Sequence, residues 1–380
     1  MKRVRLGEIS TIIMGQSPAS STYNTSAQGI PFFQGNADFG EYEPVVRTWC
    51  TAPTKMACAK DLLISVRAPI GAMNVANQAC CIGRGLAALR VDETRCLRSY
   101  LWHALQASVD ELQRKGAGTT FPAIGRQALE ETEIPLPSLP EQRHIADVLN
   151  KVDALIANYR RQLTLLDALI QSRFHELFGD MVSNSKHWPI RRLSDIAKYY
   201  NGLNYKPSDV SLNGTIVLRA GNIQNQALVL NDTVRVEMPI KERYLVKEND
   251  ILMCACNGSA QLVGKSAIIP KLPEPMYFGS FMKIIRTPYP EYVQAFFQTP
   301  AFRRQIRTAK TTTINQITNQ MMDLIELPLP PSSLIEDFST QLEGIKEQKV
   351  SVQASLLVAE TLQASLKQRY FSVEGECEND

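Results

Sequence analysis

The chain has 380 residues, 44% of them hydrophobic and 21% charged, with a formal net charge of +3. These are ordinary globular proportions with room for two or three domains, which excludes global disorder. Near-neutrality means that any affinity for nucleic acid must come from a local basic surface and not from bulk charge. Met1-Lys2-Arg3-Val4-Arg5 is basic, but Leu6-Gly7-Glu8 follows where a signal peptide would need an apolar run. No stretch approaches the roughly 18 apolar residues of a spanning helix. A chain without a membrane span, working in the cytoplasm, is the expectation.

Residues 1–137 read as a first globular unit. Within it, residues 61–66, 73–76 and 86–91 have the apolar, β-branched composition and the Gly/Pro punctuation of short strands. Residues 99–114 read as one helix, with Leu101, Leu105, Val109 and Leu112 on one face. Residues 138–180 then read as a long helix. Ser138-Leu139-Pro140-Glu141 has the form of a capping box. Ile145, Leu149, Val152, Ile156, Tyr159, Leu163, Leu166 and Ile170 recur at alternating steps of four and three, the a/d seam of a coiled coil. Phe174 and Leu177 extend the seam, and Gly179 is a natural stop.

Residues 190–330 read as a second globular unit, with strands at 216–218, 251–255, 266–269 and 281–285 and a helix at 291–306. A second long helix at 333–371 opens on Ser333-Leu334-Ile335-Glu336, the same capping pattern. Its seam runs through Phe338, Leu342, Ile345, Val352, Leu356, Ala359, Leu366 and Tyr370, and Lys349 and Gln363 weaken it. Residues 372–380 form a tail. A helix of this length is a rod of ~55 Å, and its apolar stripe needs a partner of equal length. The twin helix is the natural one, in preference to each helix lying wholly on its own unit.

The two halves repeat one another. Leu6-Gly7-Glu8-Ile9 returns as Leu193-Ser194-Asp195-Ile196, Gln34-Gly35-Asn36 as Ala220-Gly221-Asn222, and Asp61-Leu62-Leu63-Ile64 as Asp250-Ile251-Leu252-Met253. Glu133-Ile134-Pro135-Leu136-Pro137 returns as Glu326-Leu327-Pro328-Leu329-Pro330. The offset drifts only from 186 residues (Gly35 to Gly221) to 196 (Gly179 to Gly375). Ordered matches at near-constant spacing mark an internal duplication. The expected fold is α+β: two similar globular domains separated by two long antiparallel helices forming a coiled coil, with pseudo-twofold organisation.

The residues that carry chemistry are mostly missing. Eight cysteines and four histidines show no CxxC pair and no metal-ligand spacing, so reduced thiols and no metal are expected. There is no phosphate loop, no dinucleotide fingerprint, no HExxH, no GxSxG and no Asn-Pro-Pro-aromatic box for a flipped base. No catalytic residue is assigned.

Leu136-Pro137-Ser138-Leu139-Pro140-Glu141-Gln142-Arg143-His144-Ile145-Ala146-Asp147-Val148-Leu149 closely resembles the junction between target-recognition domain and long helix in specificity (S) subunits of type I restriction-modification systems. The resemblance extends over essentially the whole chain. The second copy departs from it, reading Pro328-Leu329-Pro330-Pro331-Ser332-Ser333 without the Pro-Glu-Gln. The resemblance implies a non-catalytic subunit whose two globular domains each bind half of a bipartite double-stranded DNA target. The coiled coil would set the spacer and dock two methyltransferase subunits, and two restriction/translocase subunits would join for restriction. S-adenosylmethionine, ATP and Mg²⁺ would belong to the partners, and none to this chain.

Base reading needs paired donors and acceptors on elements that reach a groove. Candidates on Gly-flanked loops are Gln34, Asn36, Arg67 and Arg84 in the first unit, and Arg219, Asn222, Asn257, Ser259 and Lys265 in the second. Lys115, Thr119 and Thr120, and then Lys310, Thr312, Asn315 and Gln316, lie on loops suited to phosphate contact. For each, the competing reading is a solvated surface loop or a turn residue bonding its own backbone. Arg303, Arg304 and Arg307 read as a solvated helix face. Two other classes of function compete: a coiled-coil scaffold remnant without DNA reading, and a nuclease with no recognisable motif.

Overall fold

The computed structural model describes residues 2–116, 122–239, 241–308 and 315–372, so Thr119, Thr120, Lys310 and Thr312 lie outside the described residues. The chain divides into two compact units. One is Met1–Arg160 with Gln353–Asp380, and the other is Arg161–Val352.

The first unit contains β1 (Arg3–Arg5), β2 (Ser10–Met14), β3 (Ile30–Phe33), β4 (Leu62–Ser65), β5 (Met73–Val75), β6 (Cys80–Ile82) and β7 (Leu86–Val91). Helices α1 (Arg98–Ala107) and α2 (Val109–Arg114), strand β8 (Glu133–Pro135) and the start of α3 (Leu139–Phe178) follow. A four-stranded antiparallel sheet has the order β2-β7-β4-β5, with Leu89 opposite both Ile12 and Leu62. β3 and β6 pair in parallel within a second sheet. Apolar residues of the first sheet, α1 and α3 share one core, in which Leu62, Leu89, Leu101, Leu105 and Leu149 are fully buried.

The second unit repeats the plan. It holds β9 (Ile190–Arg192), β10 (Lys198–Asn201), β11 (Val210–Leu218), β12 (Val234–Val236), β13 (Ile251–Cys254), β14 (Ser266–Ile268), β15 (Met276–Phe278) and β16 (Met282–Arg286). After these come α4 (Pro290–Phe297), α5 (Pro300–Thr308), β17 (Glu326–Pro328) and α6 (Ser332–Phe371). Its sheet order β10-β16-β13-β14 matches β2-β7-β4-β5. Side chains match too. The buried Asp61 takes a two-bond ion pair from Arg90 at 2.9 and 3.2 Å, and Asp250 takes one from Arg286 at 2.7 Å twice. The Tyr100 hydroxyl donates to the Pro135 carbonyl, and Tyr292 to that of Pro328.

In each unit the helix expected as continuous is two helices. Ser108 turns its hydroxyl back to the Ala104 carbonyl at 3.0 Å and ends α1. Thr299 does the same to Phe296 at 2.7 Å, and Pro300, which cannot supply an amide, starts α5.

The long helices divide their apolar stripes. Ile145, Ala146 and Leu149 of α3 enter the first unit's core, and Phe371 of α6 joins them with its ring 5.6 Å from Tyr100. Next to that core, Val152, Ile156 and Tyr159 pack on Leu356, Ala359 and Leu366. In the second unit Phe174 and Phe178 of α3 meet Ile335, Phe338 and Leu342 of α6. Leu163, Leu166, Ile345 and Val352 are half-buried. Within each unit the pairing is antiparallel: Asp153 meets Gln363 and Arg160 meets Glu360 in the first, while Asp167 meets Lys349 and Phe174 meets Phe338 in the second. Lys349 and Gln363, which look like defects in the seam, are therefore among the residues that bond across it. Such polar contacts specify register.

The two helix starts differ. Glu141 accepts from the Ser138 amide at 3.0 Å and from its hydroxyl at 2.7 Å. Gln142, fully buried, accepts from the Leu97 amide and donates to the carbonyls of Arg95 and Pro137. In the second unit the helix begins at Ser332, one residue before the expected cap, and the Pro331 carbonyl accepts from the amides of Leu334 and Ile335. Ile335, buried in the apolar core, takes the place in the helix that Gln142 takes in α3.

His103 is fully buried between α1 and α3, with Nε2 2.8 Å from Asn150 Oδ1 and Nδ1 3.9 Å from Asp153. Burial holds its pKa below the ordinary 6.5, against the opposing pull of Asn150 and Asp153 and with Lys367 adding to it. The unfolded chain therefore binds the proton first. The stability this site contributes is present above pH ~6.5 and is lost as pH falls below it. His103→Gln should cost stability at pH 7.5, and that penalty should shrink by up to ~1 kcal/mol at pH 5.5. Denaturant melts of both forms at the two pH values check this, and a penalty independent of pH would contradict it.

Candidate nucleic-acid interface

The candidate residues fall at one set of strand ends, linked by backbone hydrogen bonds. In the first unit the Gly85 amide donates to the Gln34 carbonyl, the Val66 amide to Gly85, and the Ile124 amide to Val66. In the second, the Gly279 amide donates to Leu218, Ala255 to Phe281, and Ile317 to Ala255. These chains of bonds hold four segments side by side, so residues far apart in sequence share one edge. Gln34, Arg67 and Arg84 lie along it in the first unit and are exposed. Arg219, Asn257, Ser259, Asn315 and Gln316 lie along it in the second.

Their side chains are not equally free. Among the described residues, Arg67 and Arg84 carry guanidiniums in no ion pair. Asn36 is half-buried at the start of a short turn. Lys115 is paired with Glu111 at 2.7 Å and also reaches Thr132. Lys265 donates to the Ile223 carbonyl at 2.9 Å. Asn257 accepts from the Ser259 amide at 3.0 Å and braces its own turn, and Asn315 donates across to the Gly258 carbonyl of that turn at 3.0 Å. Gln316 and Ser259 stand exposed at the rim.

Asn222 corrects the sequence reading. It is 1% exposed, its amide donates to the carbonyls of Val229 and Asp232, and its oxygen accepts from the Arg219 amide. Both amide hydrogens are spent and the oxygen is engaged inside the fold, so this buried side chain has no face to present to a base edge. Arg219 lies beside it with a long contact to Asp232 at 3.4 Å and a buried Nε without a partner.

A neighbouring feature escaped the sequence reading. Arg303 and Arg307 of α5 line a cavity of about 400 Å³ with Gln261, Val263, Ile306 and Gln316. Arg303 is half-buried and donates to the Val263 carbonyl, so the expected solvated face holds for Arg307 but not for Arg303. The next residue, Gly264, has φ +84°, and a Cβ there would press on Phe302 and Arg303. Only the i, i+4 spacing of the two arginines could have pointed to this site.

Among the described residues no three His, Cys, Asp or Glu side chains gather as a metal site would require. Burial pushes the thiols of Cys80 and Cys96 up to about 12, which leaves them protonated and inert. No described helix is long and apolar enough to cross a membrane.

The comparisons with known proteins agree with one another. A family model described as the type I restriction modification DNA specificity domain matches residues 1–166 and again 185–349. The chain belongs to that family, the specificity subunits of type I restriction-modification systems. It is 41% identical over 151 residues to the MjaX specificity subunit of Methanocaldococcus jannaschii, covering 40% of this chain and 36% of that protein. It is 22% identical over 258 residues to the EcoKI specificity subunit of Escherichia coli, covering 62% and 55%. The matched stretch thus spans little more than a third to about half the length of these relatives. The crystal structure of an S subunit from M. genitalium aligns over 98% of this chain and 96% of its own at 14% identity, with a TM-score of 0.58, a likeness of fold.

Asn222→Ala should cost ~1–3 kcal/mol by stranding buried backbone partners and should leave DNA sequence preference unchanged. Denaturant unfolding beside a duplex-binding screen checks both halves. A changed preference at wild-type stability would restore Asn222 as a reader.

Proposed function

We propose that this chain is the DNA specificity subunit of a type I restriction-modification complex. Each globular unit reads one half of a bipartite target in double-stranded DNA, and the paired long helices set the spacer between the halves. The chain itself is non-catalytic. Methylation, translocation and cleavage, with S-adenosylmethionine, ATP and Mg²⁺, belong to two methyltransferase and two translocase subunits.

The observation that carries this reading is the hydrogen-bonded edge of strand ends that each unit offers. It is rigid because backbone amides hold it, and it carries Gln34, Arg67 and Arg84 in one unit and Ser259 and Gln316 in the other. Arginine offers the paired donors that a guanine edge requires, and glutamine the donor and acceptor that an adenine edge requires. A scaffold remnant would have no use for exposed guanidiniums on such an edge. Partner docking is supported by a different surface. Leu357, Val358 and Leu362 of α6 are 66%, 69% and 46% exposed in the first unit, and Leu165 and Val350 are 57% and 66% exposed in the second. Apolar stripes of this kind on a protein surface mark interaction sites.

The test is a map of adenine methylation in a host expressing the chain with its methyltransferase partner. If Arg67 makes a bidentate bond to guanine, Arg67→Ala should lose ~1–3 kcal/mol of discrimination in one half-site only. Gln316→Ala should relax the other half-site, and the double variant both, because sites that share no partners act additively. Equal loss in both half-sites from Arg67→Ala would contradict the assignment of one reader to each unit.

A further inference from the structure

The second unit's cavity is built for an anion. Arg303 and Arg307 stand one turn apart on α5, and both face it. Like charges at this spacing repel, and no carboxylate lies among the described lining residues. The floor is apolar, since Val263, Ile306 and Ile317 are 6%, 8% and 1% exposed. Burial and the neighbouring Arg307 charge both hold Arg303 below the usual arginine range. The Arg303 guanidinium is fixed by its bond to the Val263 carbonyl, whereas Arg307 is exposed at the mouth. In the first unit the corresponding bond, to the Ile70 carbonyl, comes from the neutral Gln113 at 3.3 Å. The second unit has thus placed charge where the first has an amide.

We propose that this cavity takes a backbone phosphate of the DNA whose bases the adjoining edge reads. The proposal rests on the DNA-reading function above. A guanidinium fork matches the oxygens of a phosphodiester, and a buried apolar floor strengthens the attraction. The cavity opens beside Asn315 and Gln316, and backbone bonding ties Asn315 to the Asn257 turn. An anion bound there lies next to the candidate readers, as a phosphate flanking the read bases must. Arg303 and Arg307 are positioning residues in this account: they fix the register of the duplex and carry no sequence information.

The experiment uses the full chain, a duplex carrying the methylated sequence mapped in the host, and a scrambled duplex, titrated between 50 and 200 mM salt. Each phosphate contact contributes about 0.9 to the slope of log affinity against log salt. Arg307→Ala should weaken both duplexes by the same factor and reduce the slope by about 0.9, so that the loss of affinity across this salt range is about 3.5-fold smaller. Arg307→Lys, which keeps the charge, should restore most of the slope. A neutral methylphosphonate walked along the duplex should weaken the wild type at one position and leave Arg307→Ala indifferent there. Inorganic phosphate alone should protect the wild type against thermal unfolding less than the duplex does; equal protection by both would assign the cavity to free phosphate and overturn the proposal. If the wild type prefers its site but Arg307→Ala keeps the full slope, the phosphate pocket is wrong while the reading of function stands. Loss confined to the specific duplex would make Arg307 a base reader and overturn the proposal. If the wild type does not distinguish the two duplexes, the DNA-reading function itself fails.

Discussion

An amphipathic helix of 40 residues is unstable in water until its apolar stripe is covered, and this chain has two of them. That constraint organises both units. Each core takes in turns from both long helices: Ile145 and Leu149 with Phe371 in the first, Phe174 and Phe178 with Phe338 in the second. Burying a large apolar side chain contributes roughly 1.5–3 kcal/mol, so these few residues anchor the helices firmly. In the first unit the sheet and its helices thus complete their hydrophobic core with a residue more than two hundred positions away, as Tyr100 meeting Phe371 illustrates.

With the helices anchored, the strand ends are rigid. Paired backbone groups hold Gln34, Arg67 and Arg84 in fixed places, and a rigid edge loses little entropy on binding. The same frame recurs in the second unit with other side chains on it: Phe281 stands where Gly85 does, Ile335 where Gln142 does, and Arg303 makes to Val263 the bond that Gln113 makes to Ile70. A duplicated frame with independent decoration is what two readers of unlike half-sites need. The frame is held by main-chain bonds and buried pairs such as Asp61–Arg90 and Asp250–Arg286, and these leave the exposed positions free to differ.

Much of this was legible in the sequence for a physical reason. Strand β7 is an apolar run with clear ends, and the seam from Ile145 to Ile170 repeats often enough to exceed chance. Local pattern failed where long-range contacts decide. Asn222 looked like a reader because Gly-Asn on a loop is polar and accessible in isolation, but the Val229 and Asp232 carbonyls bury it. Lys349 and Gln363 looked like seam defects because their partners, Asp167 and Asp153, are 182 and 210 residues away. The breaks at Ser108 and Pro300 were within reach of sequence reasoning, since serine back-bonding and proline are local effects, yet the continuing apolar pattern masked both. Arg303 was read as solvated because its neighbours in the cavity, Val263 and Gln261, come from another loop.

The central claim is that one chain carries two DNA readers. Selecting duplexes from a random pool with the full chain assembled on its methyltransferase partner tests it most directly. The account predicts enrichment of two short, unlike sequences separated by a gap of fixed length and no sequence preference. Enrichment of one contiguous sequence, or of none, would contradict it.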